Sequence, residues 1–169
     1  PGGCAERRNG PFWKGQTPPD NSLYFAYHNA NKKSITLDLT TADGWSQLTD
    51  LLRTADVFIE TMLPGTLADR GLDFASLSKM NPRLVMASIT GFGQSGPYRR
   101  YASPDPVVWA LGGQMWLTGR PEREPRLPPV ELANPMASLL TAFGVLAALR
   151  ARSIDGMGDH IDSSVYEAQ

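Results

Sequence analysis

Two hydrophobic rhythms alternate along this chain. In "SITLDLT", residues 34–40, apolar and polar positions alternate and put Ile35, Leu37 and Leu39 on one face, which predicts a strand. Thr40 or Thr41 then stands where a helix cap belongs, with Asp43 in the first turn. Trp45, Leu48, Leu51 and Leu52 follow at three- and four-residue spacings, giving that helix one buried face. "ADVFIE", residues 55–60, is a short apolar strand. "DFASLSKMN" reads as a short helix and "PRLVMASITGFG" as another strand entering a glycine-rich turn. Further on, "PDPVVWALGGQMWLTG" predicts a helical turn and a small-residue break. Met136, Leu139, Leu140, Phe143, Leu146, Ala147 and Leu149 mark a helix apolar around most of its circumference, expected to be buried on several sides. "HIDSSV", residues 160–165, closes the series as a strand.

Strands alternating with helices predict an α/β domain around a parallel sheet. The first strand, helix and strand fall within the length of a right-handed crossover. Ligands of such sheets lie beyond the carboxyl ends of the strands, where "ETMLPG" and "GFGQSGPY" both fall. Residues 1–22, rich in Gly, Pro and polar side chains, are expected to be a loop or linker. "RPEREPRLPPVE" is expected to be a solvated, charged excursion.

Composition narrows the function without naming it. The chain has 169 residues, 41% apolar and 20% charged, an ordinary balance for a folded domain with a core. A net charge of −1 provides no global field for nucleic acid or an acidic membrane. The one cysteine, Cys4, forms no internal disulfide and builds no cysteine metal site, and it fits a reducing, cytoplasmic setting. His28 and His160 sit in no metal-ligand spacing, so no metal is expected. No apolar run reaches the roughly 18 residues of a membrane span. "PGGCAERRNG" lacks the apolar core of a signal peptide, and both ends look like the interior of a longer pattern, so a fragment is expected.

Familiar catalytic motifs are missing: no phosphate-cradling GxxxxGK[ST], no GxSxG elbow and no HExxH. "GFGQSG" satisfies G-x-G-x-x-G after a strand, but "PYRRYASP" follows it and supplies no helix N-terminus for a pyrophosphate. A turn that brings backbone close to a ligand explains the glycines better. Lys32, Lys33, Arg70, Arg99 and Arg100 are candidate phosphate contacts, although for any one of them taken alone a solvated surface charge is the better reading. Trp109 and Trp116 flank "ALGGQM"; core packing is the plain reading, a channel for an acyl chain the alternative.

Four blocks in order, "NKKSITLDL", "ADVFIETMLPGTLADRGLDFASLSKMNPRLVMASITGFGQSGPY", "ALGGQMWLTG" and "AFGVLAALRAR", resemble the family III coenzyme A transferases. That family includes formyl-CoA transferase, carnitine CoA-transferase and alpha-methylacyl-CoA racemase. The resemblance implies a Rossmann-like large domain, incomplete at both ends: residues 1–22 enter it, residues 23–169 form part of it, and the small domain is absent. It implies an interlocked homodimer, or a pairing or fusion with a homologue, that binds acyl-CoA and a carboxylate acceptor.

The family's E-N-[FY]-x-P-G loop, which cups the pantetheine and adenine of CoA, is matched by Glu60-Thr61-Met62-Leu63-Pro64-Gly65. Thr replaces Asn and Met replaces the aromatic residue; Met still offers a polarizable surface. The family's phosphate-contacting Arg falls on Arg70. A further basic position falls near Ala102, with Arg99 or Arg100 as substitutes. The family's nucleophile is an Asp ahead of a G-[IV]-L-A-A-L stretch, and counting back from "GVLAAL" without a gap puts that position on Asn134. A neutral amide cannot attack a thioester as a carboxylate does.

Glu131 would replace it only if the register slipped by three residues. A racemase would need a His where Pro104 stands and an Asp at Asn134, although Asp105 is present. By itself, Asn134 followed by Pro135 reads as a helix N-cap and first helical residue. The implied activity is transfer of CoA between an acyl-CoA thioester and a carboxylic acid, with this half lacking its nucleophile and acting beside an Asp-bearing partner or second domain. A non-catalytic CoA-binding scaffold, a racemase and a generic nucleotide-binding module remain as rivals.

Overall fold

The computed structural model describes residues 3–16, 19–128 and 131–169, so the expected loop positions 1, 2, 17, 18, 129 and 130 lie outside the described residues. The described chain falls into two units, residues 1–47 and 48–169.

In the first unit, single 3-10 turns occupy Ala5–Arg8 and Trp13–Gly15, and α1 spans Leu23–His28. Ser22 caps α1 by accepting the Phe25 N–H at 3.0 Å, and its hydroxyl donates to the Asn9 carbonyl at 2.5 Å. The strand expected at 34–40 is not formed. Alternation supplies a face but not a neighbour, and this segment has no ladder partner among the described residues; Ile35 is 64% exposed. Asp38 turns the chain instead. Its carboxylate accepts from the Thr40 amide at 3.0 Å and the Thr40 hydroxyl at 2.6 Å. These two donations, the hydroxyl first, hold the Asp38 carboxyl below its ordinary 3.8. Thr41 then caps α2 (Ala42–Leu52), its hydroxyl accepting the Gly44 N–H at 3.1 Å, as expected.

The second unit contains a parallel sheet of three strands in the order β1 (Val57–Glu60), β2 (Val85–Thr90), β3 (His160–Ser164). Val57 pairs with Val85 and Glu60 with Ser88; Met86 pairs with His160 and Thr90 with Ser164. Parallel neighbours need a crossover, and helices supply both. α3 (Phe74–Met80) joins β1 to β2; α4 (Asp105–Leu111), α5 (Gln114–Leu117) and α6 (Ala133–Asp155) join β2 to β3.

β2 is central and buried on both faces, with Val85 and Ala87 inaccessible to solvent. α6 covers one face through a stripe of small residues, Ala133, Ala137, Thr141, Val145 and Ala148. Val145 and Ala148 pack on Val85 and Ala87, and Ala133 and Ala137 join Val108, Trp109 and Val165. Gly144 is part of this close fit, since a Cβ there would meet Ile161 at 3.3 Å. The expectation that α6 is buried on several sides is not met: Leu139, Leu140, Phe143 and Leu146 are all exposed. Only the small-residue stripe can approach the sheet closely; the larger side chains point elsewhere. By length and composition α6 would pass for a membrane span, although the Ala-rich stripe is packed on the sheet.

The amino-terminal edge of the sheet is tied down by polar side chains. Arg152 of α6 donates to the Arg83 carbonyl at 2.8 Å and pairs with Asp56 at 2.9 Å. Asn81 donates to the carbonyls of Leu52 and Ala55 at 3.0 and 2.9 Å, satisfying acceptors left open where α2 ends. Replacing Asn81 by Ala orphans both carbonyls and is expected to cost about 2 kcal/mol, read as a lower urea midpoint with an unchanged slope.

Candidate functional site

The carboxyl ends of β1 and β2 carry the two loops expected at the ligand edge. β1 ends on Glu60, whose buried carboxylate accepts the Met62 N–H at 2.6 Å and folds the chain back at once. Thr61 and Leu63 are exposed, Met62 is half-buried and Pro64 is buried. Gly65 takes φ +97°, a conformation only glycine adopts without strain, and a Cβ there would stand 3.7 Å from the Arg100 guanidinium. The turn thus brings Arg100, from the loop after β2, beside the Pro-Gly step. A 3-10 turn, Ala68–Arg70, follows and is ended by left-handed Gly71, leaving Arg70 exposed at its last position.

Beneath this loop is a cavity of about 70 Å³, lined by Glu60, Leu63, Gly65, Phe74, Ser88 and His160 among others. Its floor is the sheet face opposite α6. The Ser88 hydroxyl lies 2.9 Å from His160 Nε2, and the imidazole stacks on Phe74 with ring centroids 5.5 Å apart. Asp162, two residues after His160, accepts the Gln94 N–H with both oxygens at 3.1 and 3.0 Å. That bond fixes the "GFGQSG" turn, in which Gly93 has φ +82° and lies against the same carboxylate. The turn leads to α4 through further turns, so no helix N-terminus meets a pyrophosphate here. Gln94 Nε2 is buried with no partner among the described residues and lines the cavity.

Asn134 belongs to a different constellation. α6 starts at Ala133 after Leu132, which caps it without a side-chain bond, so Asn134 is the second helical residue and not the N-cap expected from the sequence. Pro135 follows it inside the first turn, where its missing N–H costs nothing. Asp105 performs the capping, its Oδ1 accepting the Ala133 N–H at 3.1 Å from the first turn of α4. This carboxylate therefore sits at two helix amino termini, a favourable place for negative charge. Asn134 itself is exposed and bonds to no described residue through its side chain. Glu131 is exposed ahead of the helix, and Pro104 caps α4. Asn134 is not among the residues lining the cavity under the Thr61–Gly65 loop.

Sequence reasoning missed the polar sheet face. Its signal was present: "HIDSS" alternates His160, Asp162 and Ser164 onto one side, and Ser88 interrupts the apolar run from Leu84 to Ile89. Trp109 is buried, as the core reading expects, but Trp116 is 83% exposed, which overturns that reading for it. α5 is only one turn long and turns this indole outward.

Asp73 caps α3, accepting the Ser76 N–H at 2.9 Å, and so holds Phe74 at the cavity wall. The Ser76 bonds, side chain first, keep its carboxyl below the ordinary 3.8. A carboxyl lowered in the folded state adds stability above its unfolded value and loses it as pH falls through the folded one. Asp73→Asn should therefore lower the urea midpoint at neutral pH, with the difference from wild type closing as pH falls through and below 3.8.

Comparison with known proteins bears directly on this arrangement. The chain is 40% identical over 169 residues to a protein of Chloroflexus aurantiacus described as succinyl-CoA–L-malate CoA-transferase beta subunit, covering 99% of this chain and 40% of that one. It is 37% identical over 150 residues to a protein described as the alpha subunit of that enzyme from Chloroflexus aurantiacus, covering 88% and 35%. A crystal structure of a CaiB/BaiF family protein from Brucella suis superposes with a TM-score of 0.85 at 37% identity, covering 96% of this chain and 43% of that one. The chain thus spans about two fifths of the length of these relatives. The model of CoA-transferase family III matches residues 1–169, and the chain belongs to that family.

Proposed function

We propose that the protein containing this chain transfers coenzyme A between an acyl-CoA thioester and a carboxylic acid, and that this half does not supply the nucleophile. The observation that carries the second part is Asn134: an exposed amide at the amino terminus of α6, where the family pattern puts a carboxylate. Asp105, the carboxylate that reaches this helix end, is already bonded to the Ala133 N–H.

The chemistry defines what is missing. A carboxylate oxygen attacks the thioester carbonyl carbon, the C–S bond breaks, and CoA leaves as a thiolate while a mixed anhydride forms. The thiolate then attacks the protein's own carbonyl of that anhydride, releasing the first acid and leaving a protein-bound thioester. The acceptor carboxylate attacks this thioester in turn, and the same steps in reverse order deliver its CoA thioester. An Asp from a partner or second domain would supply the attacking oxygen.

In this division of labour the chain contributes the CoA cradle. The Thr61–Gly65 loop, shaped by Glu60 and by Gly65, would receive the pantetheine and adenine portion, Met62 and Leu63 offering apolar surface. Arg70 and Arg100 would meet the phosphates. Two relatives described as alpha and beta subunits of one CoA-transferase support a paired arrangement, here an interlocked dimer or a fusion in the cytoplasm.

The test is to incubate the intact protein, with any co-purifying partner, with acyl-CoA donors and carboxylate acceptors, trap with hydroxylamine or borohydride, and locate adducts by mass spectrometry. An adduct is expected on an Asp outside this segment or on the partner, and none on residue 134. Asn134→Asp should create a trappable adduct at 134. An adduct on Glu131 would overturn the register, and CoA binding without adduct or exchange in any pairing would leave a CoA-binding scaffold.

A further inference from the structure

Residues 119–127, after α5, form the exposed, charged loop that the composition predicts, and within it the chain makes one defined turn. The Arg123 N–H donates to the Arg120 carbonyl at 3.0 Å, closing a turn that puts the two arginines on one side. Gly119, at φ +111°, lets the chain leave α5 sharply, and the Thr118 hydroxyl anchors that exit on the Gln114 carbonyl at 2.7 Å. Two adjoining concavities result. One, of about 230 Å³, is lined by Gly119 and the three arginines Arg120, Arg123 and Arg126. The other, of about 310 Å³, has Trp116, Leu117, Pro121 and Pro125 on its walls and shares Arg120 and Arg123 with the first.

Among the described residues these cations form no ion pair. Glu122 and Glu124 are interleaved with the arginines, yet neither forms an ion pair with them among the described residues. Three arginines lining one hollow bring like charges together, and an oxyanion relieves that repulsion while accepting paired N–H donors. Beside them an exposed indole and two rigid proline rings form an apolar wall. A cationic end joined to an apolar wall fits an acid with an apolar body.

We propose that this cleft binds the carboxylate end of an organic acid whose body lies against Trp116, making it the acid-selecting subsite of the transfer reaction. The assignment deepens the transfer reading and rests on it. Charge separates a carboxylate from the phosphates of CoA. Within the turn itself, residues 119–126, three arginines against two glutamates leave one net positive charge, which suits a single carboxylate better than a diphosphate with a further phosphomonoester. The CoA phosphates have their own candidates in Arg70 and Arg100.

The test uses the intact protein and titrates 3-phenylpropionate, its neutral amide 3-phenylpropionamide, and CoA by calorimetry, with no acyl-CoA present. Binding of the acid but not the amide is expected, weakening as salt is raised. Arg123→Ala, which touches both hollows, should weaken the acid about tenfold and leave CoA affinity unchanged. Arg123→Lys, which keeps the charge but not the fork, should fall between. Glu122→Gln should tighten the acid, a gain that damaged folding cannot produce.

Loss of CoA affinity in Arg123→Ala with the acid unaffected would make this a phosphate site and overturn the proposal. Equal binding of acid and amide, or no effect of any variant, would also overturn it. Selective acid binding without CoA exchange in any pairing would count against the transfer reading and not against the cleft.

Discussion

Everything in the second unit depends on β2 being buried on both faces. A strand in that position must satisfy its backbone on two sides and has no access to water, so it needs a parallel neighbour at each edge and a cover above and below. β1 and β3 provide the ladders, and α6 provides one cover. The close approach of α6 is possible because its inward positions are Ala, Thr and Val, not Leu or Phe. Burial of β2 also fixes the direction of all three strands, and with it the edge at which the loops after β1 and β2 emerge.

The two ends of the sheet have opposite characters for that reason. At the amino-terminal edge, Asn81 and Arg152 bind carbonyls from several segments and close the structure with direct polar contacts. At the carboxyl edge, Glu60 and Asp162 spend their carboxylates on the first amides of the loops, which shapes the loops while leaving their tips exposed. The polar row on the face away from α6 (Glu60, Ser88, Asp162, with His160 beside it) is the underside of those loops. Rigidity below and accessible backbone above is the physical requirement for holding a long, flexible ligand in one orientation.

Much of this was legible in the chain. β1, β2, β3 and α3 stand where periodicity put them, and Thr41 caps α2 as its position implied. Residues 34–40 show the limit of that reasoning: period-two alternation describes a face, whereas a strand exists only with a hydrogen-bonding neighbour. Asp38, whose carboxylate competes for the local backbone, settles that segment as a turn. The error at Asn134 has a similar origin. An Asn-Pro pair is a good cap by local rules, but the contact that caps α6 comes from Asp105, 28 residues earlier, and tertiary partners of that kind leave no local mark. α6 hid its orientation because apolar residues surround it, and only packing reveals that the smaller ones face inward.

That orientation reverses the usual relation between side-chain size and importance along a helix. On most amphipathic helices the bulky residues carry the packing and the alanines fill the margins. On α6 the alanines define the distance to the sheet, so an added methylene at Ala137 or Ala148 would have to lift a 23-residue rod off β2. Leu139, Phe143 and Leu146, by contrast, can change size without disturbing the sheet below them. The inner face of α6 is therefore where sequence drift should be held to atoms, and the outer face is where this scaffold can be adapted to whatever lies against it.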